Sequence, residues 1–159
     1  MSKARTQRHI NQVEKLMWWF ANQIMIRAHN HDASKLEEPE ASIFEKYSDK
    51  ISQFEFGSEE YFDILVKMKE ATDHHYSNNR HHPEHFKPKV AQLNTFDEIS
   101  CMNLIDIVEM FIDWKAASMV NNGDIDKSIQ IGKGRFGINY QLIEIFKNTA
   151  KEIKEQLNI

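Results

Sequence analysis

Cysteine is almost missing from this chain: Cys101 is alone among 159 residues. No intrachain disulfide can form, and a reducing compartment, the cytoplasm, is expected. Breakers are scarce too, with three prolines and five glycines, four of the latter (Gly123, Gly132, Gly134, Gly137) crowded into one stretch. Elsewhere little interrupts a helix, so long helices follow. No apolar run approaches about 18 residues, which excludes a helical membrane span. The basic start, MSKARTQRH, is not followed by an unbroken apolar stretch, so no signal peptide is expected. An excess of positive charge is also lacking. Twenty Lys+Arg against 24 Asp+Glu give a net charge of -4 and argue against a broad nucleic-acid surface. Strand-like alternation and internal repeats are absent as well.

What is present is an ordinary globular composition, 41% hydrophobic and 28% charged, at a length suited to one domain over residues 1–159. The pattern predicts an all-α bundle of five to six helices. Val13, Leu16, Phe20, Ile24 and Ala28 recur at helical spacing from about Lys3 to Asn30. A second helix follows Pro39 through Ile43, Phe44 and Tyr47. A third starts at Glu59-Glu60, two acids suited to a first turn, and carries Tyr61, Leu65, Met68, Thr72 and His75 on one stripe. A proline-marked loop, about 78–94, leads to a central helix from about Asp97 to Val120. The glycine-rich segment 123–137 carries at most a short helix. A last amphipathic helix runs through Ile138, Leu142, Ile145, Thr149, Ile153 and Leu157.

Seven of the eight histidines fall in two knots, His29-Asn30-His31-Asp32 and His74-His75 through His81-His82-Pro83-Glu84-His85. Imidazole beside carboxylate is the ligand chemistry of a hydrolytic transition-metal centre. His31 and Asp32 are adjacent at a helix end and each offers its own donor atom. The stripe of the third helix selects His75 rather than His74 as inward-facing. His81 and His82 point in different directions, and His82 is taken as the ligand. His29, His74 and His85 are expected outside. His9 stands about 33 Å from His31 along an unbroken helix, too far for one site.

The central helix supplies acids. Asp106, Glu109 and Asp113, at spacings of three, four and seven, share one face. Three acids on an otherwise apolar helix are costly if buried unpaired, and a buried cation accounts for them. Asp106 and Asp113 are about 10 Å apart along the axis, so one ion cannot take both. Either two metals bind, or one acid stands behind the ligands. The expected cofactor is one or two divalent transition ions (Mn, Fe, Zn or Ni), with Mg as the alternative.

His31-Asp32-Ala33-Ser34-Lys35, followed by a histidine cluster and by Asp113 in a late helix, resembles the signature of the HD-domain metal-dependent phosphohydrolases. More closely, the chain resembles the small bacterial and phage proteins of the DUF5662 family. The matching stretches are 31–35, Asn79-Arg80-His81-His82-Pro83-Glu84-His85, and Ile107 to Trp114. The HD likeness implies an HD-like helical domain and an early first histidine, for which His9 is the one candidate. The DUF5662 likeness implies no activity.

The chemistry suggests a phosphohydrolase acting on a nucleotide or other small phosphate ester through metal-activated water. Asp32 would hold metal and orient water, Lys35 would hold a phosphate oxygen, and Glu84 and Glu109 are the candidates for general acid or base. Lys133 and Arg135, within Gly132-Lys133-Gly134-Arg135, are candidate substrate cations, although the stretch lacks Walker spacing. Two other readings compete: an all-α nucleoside triphosphate pyrophosphatase-like magnesium enzyme using Asp106, Glu109 and Asp113, and a non-catalytic helical binding protein, for instance a phage factor, with a structural metal. A membrane partner is not expected, and homo-oligomerisation is left open.

Overall fold

A computed structural model describes residues 2–55, 57–93 and 97–157. Among them are seven α-helices, three 3₁₀ turns and no strand. No described helix is long and apolar enough to cross a membrane. The chain divides into two compact units, Met1–His31 and Asp32–Ile159.

The first unit is one helix, α1 (Lys3–Asn30), capped by the Ser2 side chain, which accepts from the Arg5 amide. It is unbroken, as its lack of glycine and proline dictates, and ends where the C-cap residue His31 leaves helical geometry (φ -53°, ψ 125°).

The second unit opens at Asp32, whose φ of 54° puts a non-glycine residue in the left-handed region. Such a conformation is disfavoured for a residue with a Cβ and marks positions held in place by their surroundings. A 3₁₀ turn (Ala33–Leu36) leads to α2 (Glu40–Ile51) and α3 (Glu59–Asn78), which pack on each other. Ser58 caps α3 by accepting from the Tyr61 amide, and Ile64, Ala71 and His75 form its buried side. Leu65, on the stripe the sequence suggested, is instead exposed.

The loop expected at 78–94 holds more structure than its prolines implied. A 3₁₀ turn with Pro83 at its start (Pro83–Phe86) runs into α4 (Lys87–Leu93). The helix expected from Asp97 begins later. After a 3₁₀ turn (Ile99–Cys101), α5 (Leu104–Val120) is initiated by a capping box, in which Asn103 accepts from the Ile105 and Asp106 amides and Asp106 accepts from the Asn103 amide.

The glycine-rich segment forms a full helix, α6 (Ile125–Phe136), ended by Gly137 at φ 64°. Gly132 lies inside α6 because the Trp114 indole occupies the place of its Cβ. The core joins α5, α6 and α7 (Tyr140–Leu157) through Met110, Phe111, Ile129, Ile143, Phe146 and Ala150, with Phe111 stacked on Phe146 at 5.0 Å. The buried side of α7 is rotated from the expected stripe. Ile143, Phe146 and Ala150 face inward, whereas Ile145 and Leu157 are exposed, because the two aromatic partners on α5 capture Phe146.

Candidate metal centre

The end of α3 makes the centre. Its last turn carries His75, and the chain then leaves the helix at Asn79 and turns back, with His82 N–H donating to the Asn79 carbonyl at 3.2 Å. Asn79 fastens this turn by donating through Nδ2 to the Ser34 hydroxyl at 2.7 Å and to the His75 carbonyl at 2.9 Å. The turn therefore brings His81 and His82 beside His75, with ring centroids 6.2 and 4.7 Å from it. Asp32 reaches the same point from the 3₁₀ turn.

Asp32 Oδ1 lies 3.4 Å from His75 Nε2 and 3.4 Å from His81 Nε2, and His75 Nε2 lies 2.8 Å from His82 Nε2. One ligand-type atom from each of Asp32, His75, His81 and His82 lies within 4.8 Å of every other. Donors on one tetrahedral transition ion, each about 2.1 Å from it, stand ~3.4 Å apart. Two of the three spacings equal that value, and the His75–His82 spacing is shorter.

The far sides of the rings are also held. Glu40, completely buried, places Oε2 at 2.8 Å from His75 Nδ1 and Oε1 at 2.7 Å from His74 Nδ1. Burial pushes the Glu40 carboxyl up, but hydrogen bonds from His74, Ser34 and His75 outweigh it and hold the pKa below its ordinary value. A carboxylate only accepts, so His75 must donate through Nδ1, and its neutral ring then presents a lone pair at Nε2. Glu109 Oε1 stands behind the His81 ring, 3.2 Å from Nδ1. Carboxylates behind imidazoles are how metal-ligating histidines are oriented.

Protonation is suppressed where the rings meet. Burial, then the neighbouring His81 and His75, push His82 down to about 3, and burial lowers His75 despite Glu40 and Asp32. Neutral imidazoles with converging nitrogens are the state that binds a cation. With His75 donating through Nδ1, its Nε2 accepts from His82 Nε2–H across 2.8 Å, and a cation held by these residues would take the place of that proton. Three imidazoles and a carboxylate suit a transition metal better than magnesium, which prefers oxygen. Lys35 completes the cluster: Nζ is 2.6 Å from Asp32 Oδ2, because residues three apart eclipse in a 3₁₀ turn.

The family model described as a family of unknown function, DUF5662, matches residues 1–159. The chain belongs to the DUF5662 family. No curated protein and no solved structure matches it. In this DUF5662 protein the centre is thus defined by its own residues.

Some expected residues meet there. Asp32, His75 and His82 do, and an Asp113 carboxylate oxygen lies within 4.8 Å of one from Asp32. His31 is the last residue of the first unit. His81 joins as well: the two adjacent side chains, expected to point in different directions whatever the backbone does, bring their rings to 4.1 Å at the reversal, tilted 44°.

Other expected residues are engaged differently. Asp106 is fully buried, but both of its oxygens accept from Arg80, at 3.1 Å from Nε and 2.8 Å from Nη2, and the helix cap takes a further bond. Its burial is balanced by a guanidinium. Glu84 accepts from Arg135, so an expected acid–base group and an expected substrate cation are paired with each other. Lys133 lies exposed in the last turn of α6, where cations favour the helix C-terminus. The glycine beside it serves Trp114 rather than a phosphate.

Glu40 is the residue that sequence reasoning missed. Following Glu37, Glu38 and Pro39, it reads as one more solvated acid of a helix start. The available signal was the tandem His74-His75, whose two Nδ1 atoms need an acceptor one helix away.

Proposed function

We propose that this DUF5662 protein is a metal-dependent phosphohydrolase of HD type, acting on a small phosphate ester. The observation that carries the reading is the convergence of Asp32, His75, His81 and His82 with carboxylates behind two of the rings. A divalent transition cation bound there supplies Lewis-acid chemistry, polarising a phosphoryl oxygen and making water nucleophilic near neutral pH.

The chain's own groups do the rest. Asp32 offers Oδ1 to the centre and holds Lys35 with Oδ2, so the ammonium is aimed at the same place by a carboxylate. Lys35, with its side chain 46% exposed, is free to turn to an arriving phosphate oxygen. In hydrolysis a water oxygen bonds to phosphorus, the ester P–O bond breaks, and the alcohol leaves with a proton. Glu109 serves as a positioning residue for His81, while Glu84 is spoken for by Arg135.

The magnesium pyrophosphatase alternative loses support because two of its acids, Asp106 and Glu109, are turned to Arg80 and His81. The test is a phosphomonoesterase screen with manganese, iron, nickel or zinc added to metal-free protein, with Asp32→Asn as control. Metal-dependent phosphate release that disappears in the variant is the expected result. Release that survives in Asp32→Asn, or none with any metal, would overturn the reading.

A further inference from the structure

A cleft of about 370 Å³ lies between α2 and α3 and has His75 and His82 among its walls. Its volume is at the small end for organic ligands, enough for one compact group and not for a polymer. Two of its apolar walls rest on the imidazoles of the centre: Phe44 meets His75 edge-on at 6.1 Å, and Tyr76 lies 5.0 Å from His82. A flat group held between Phe44 and Tyr76 would therefore present its substituent to His75 and His82. Met68 adds a pliant apolar contact, and Thr72 and Ser48 add hydroxyls.

Charge narrows the ligand further. Among the described residues Lys35 is the one cation lining this cleft; Arg80 and Arg135, paired with Asp106 and Glu84, do not line it. Beyond the phosphoryl group that meets the centre and Lys35, the further phosphates of a di- or triphosphate would find no second cation in the described lining. A monoester matches it.

We infer that this cleft is the binding site for a phosphate monoester of a flat, largely apolar alcohol, with Phe44 and Tyr76 holding the ring and Lys35 the phosphate; this rests on the centre being the phosphohydrolase site proposed above. Lys35 Nζ, 2.6 Å from Asp32 Oδ2, stands where cleft and centre join.

The experiment is titration of manganese-loaded and metal-free protein with phenylphosphonate, methylphosphonate and tripolyphosphate. It is read by ¹³C-methyl shifts of Met68 and Thr72 in diamagnetic samples and by ³¹P line broadening with manganese. Phenylphosphonate should bind roughly tenfold tighter than methylphosphonate, a ratio set by stacking, and tripolyphosphate no tighter than methylphosphonate. Phe44→Leu should remove that advantage with metal content unchanged, and Ser48→Trp, at an exposed position, should block the cleft without touching the core. Shifts at Met68 and Thr72 that also occur in metal-free protein uphold the cleft even if the hydrolase reading fails. Equal affinity for the two phosphonates, or no shift at either methyl group, overturns the inference.

Discussion

Glu40 holds the Nδ1 atoms of His74 and His75 with its two oxygens, at 2.7 and 2.8 Å, from a position with no solvent exposure. One carboxylate thereby fixes the tautomer and the direction of the imidazole that faces Asp32. Glu40→Gln keeps the shape but can donate to only one ring and accept from only one. Metal affinity should fall by roughly 10–100-fold, the usual cost of losing a carboxylate behind a ligating histidine. Competition with a chelator measures the fall, and the ¹⁵N shifts of His75 should report a mixture of tautomers. Unchanged affinity would mean that Glu40 serves the fold alone.

Acid should destabilise the metal-free protein. His82 has a folded pKa of about 3, below its unfolded value, and His75 is lowered too. Between about pH 6.5 and the folded values the unfolded chain binds more protons, so stability falls as pH falls through this window and is fully present above it. Urea titrations from pH 7.5 to 4.5 should show the decline, and His82→Gln should flatten it. Bound metal should move proton uptake lower still, because protons compete for the same nitrogens.

Helical phase made much of this legible from sequence. His75 over His74, the face holding Glu109 and Asp113, and the unbroken α1 all follow from a period of 3.6 and from missing breakers. Residues that depend on chain reversal or on a distant partner were not legible. His81 converges with His82 only because the chain turns back at Asn79, and Asp106 looked like a ligand because nothing in sequence ties it to Arg80, 26 positions away. Glu40 carries no local mark, since its burial comes from α3 packing over it.

Asp106→Asn should leave metal content unchanged, whereas Asp113→Asn should lower it. Arg80→Ala should destabilise the fold by roughly 1–3 kcal/mol, the cost of a buried acceptor losing its donors. Metal analysis and denaturant unfolding of the three variants separate the cap of α5 from the centre. An Asp106→Asn protein without metal would restore that residue to the ligand set.

Gly132→Ala should cost about 1–3 kcal/mol, because the new methyl group would overlap the Trp114 indole inside a packed core. A lower Tm with full metal content is the expected outcome. A variant as stable as the parent would show that the indole can swing aside.

The most direct measurement is metal content joined to X-ray absorption at the metal edge, on the parent protein and on Asp32→Ala and His81→Ala. One or two transition ions per chain are expected, nitrogen- and oxygen-ligated at about 2.0–2.2 Å, with marked loss in both variants. A protein that takes up none of manganese, iron, nickel or zinc, or variants that retain the parent's metal and spectrum, would contradict this expectation.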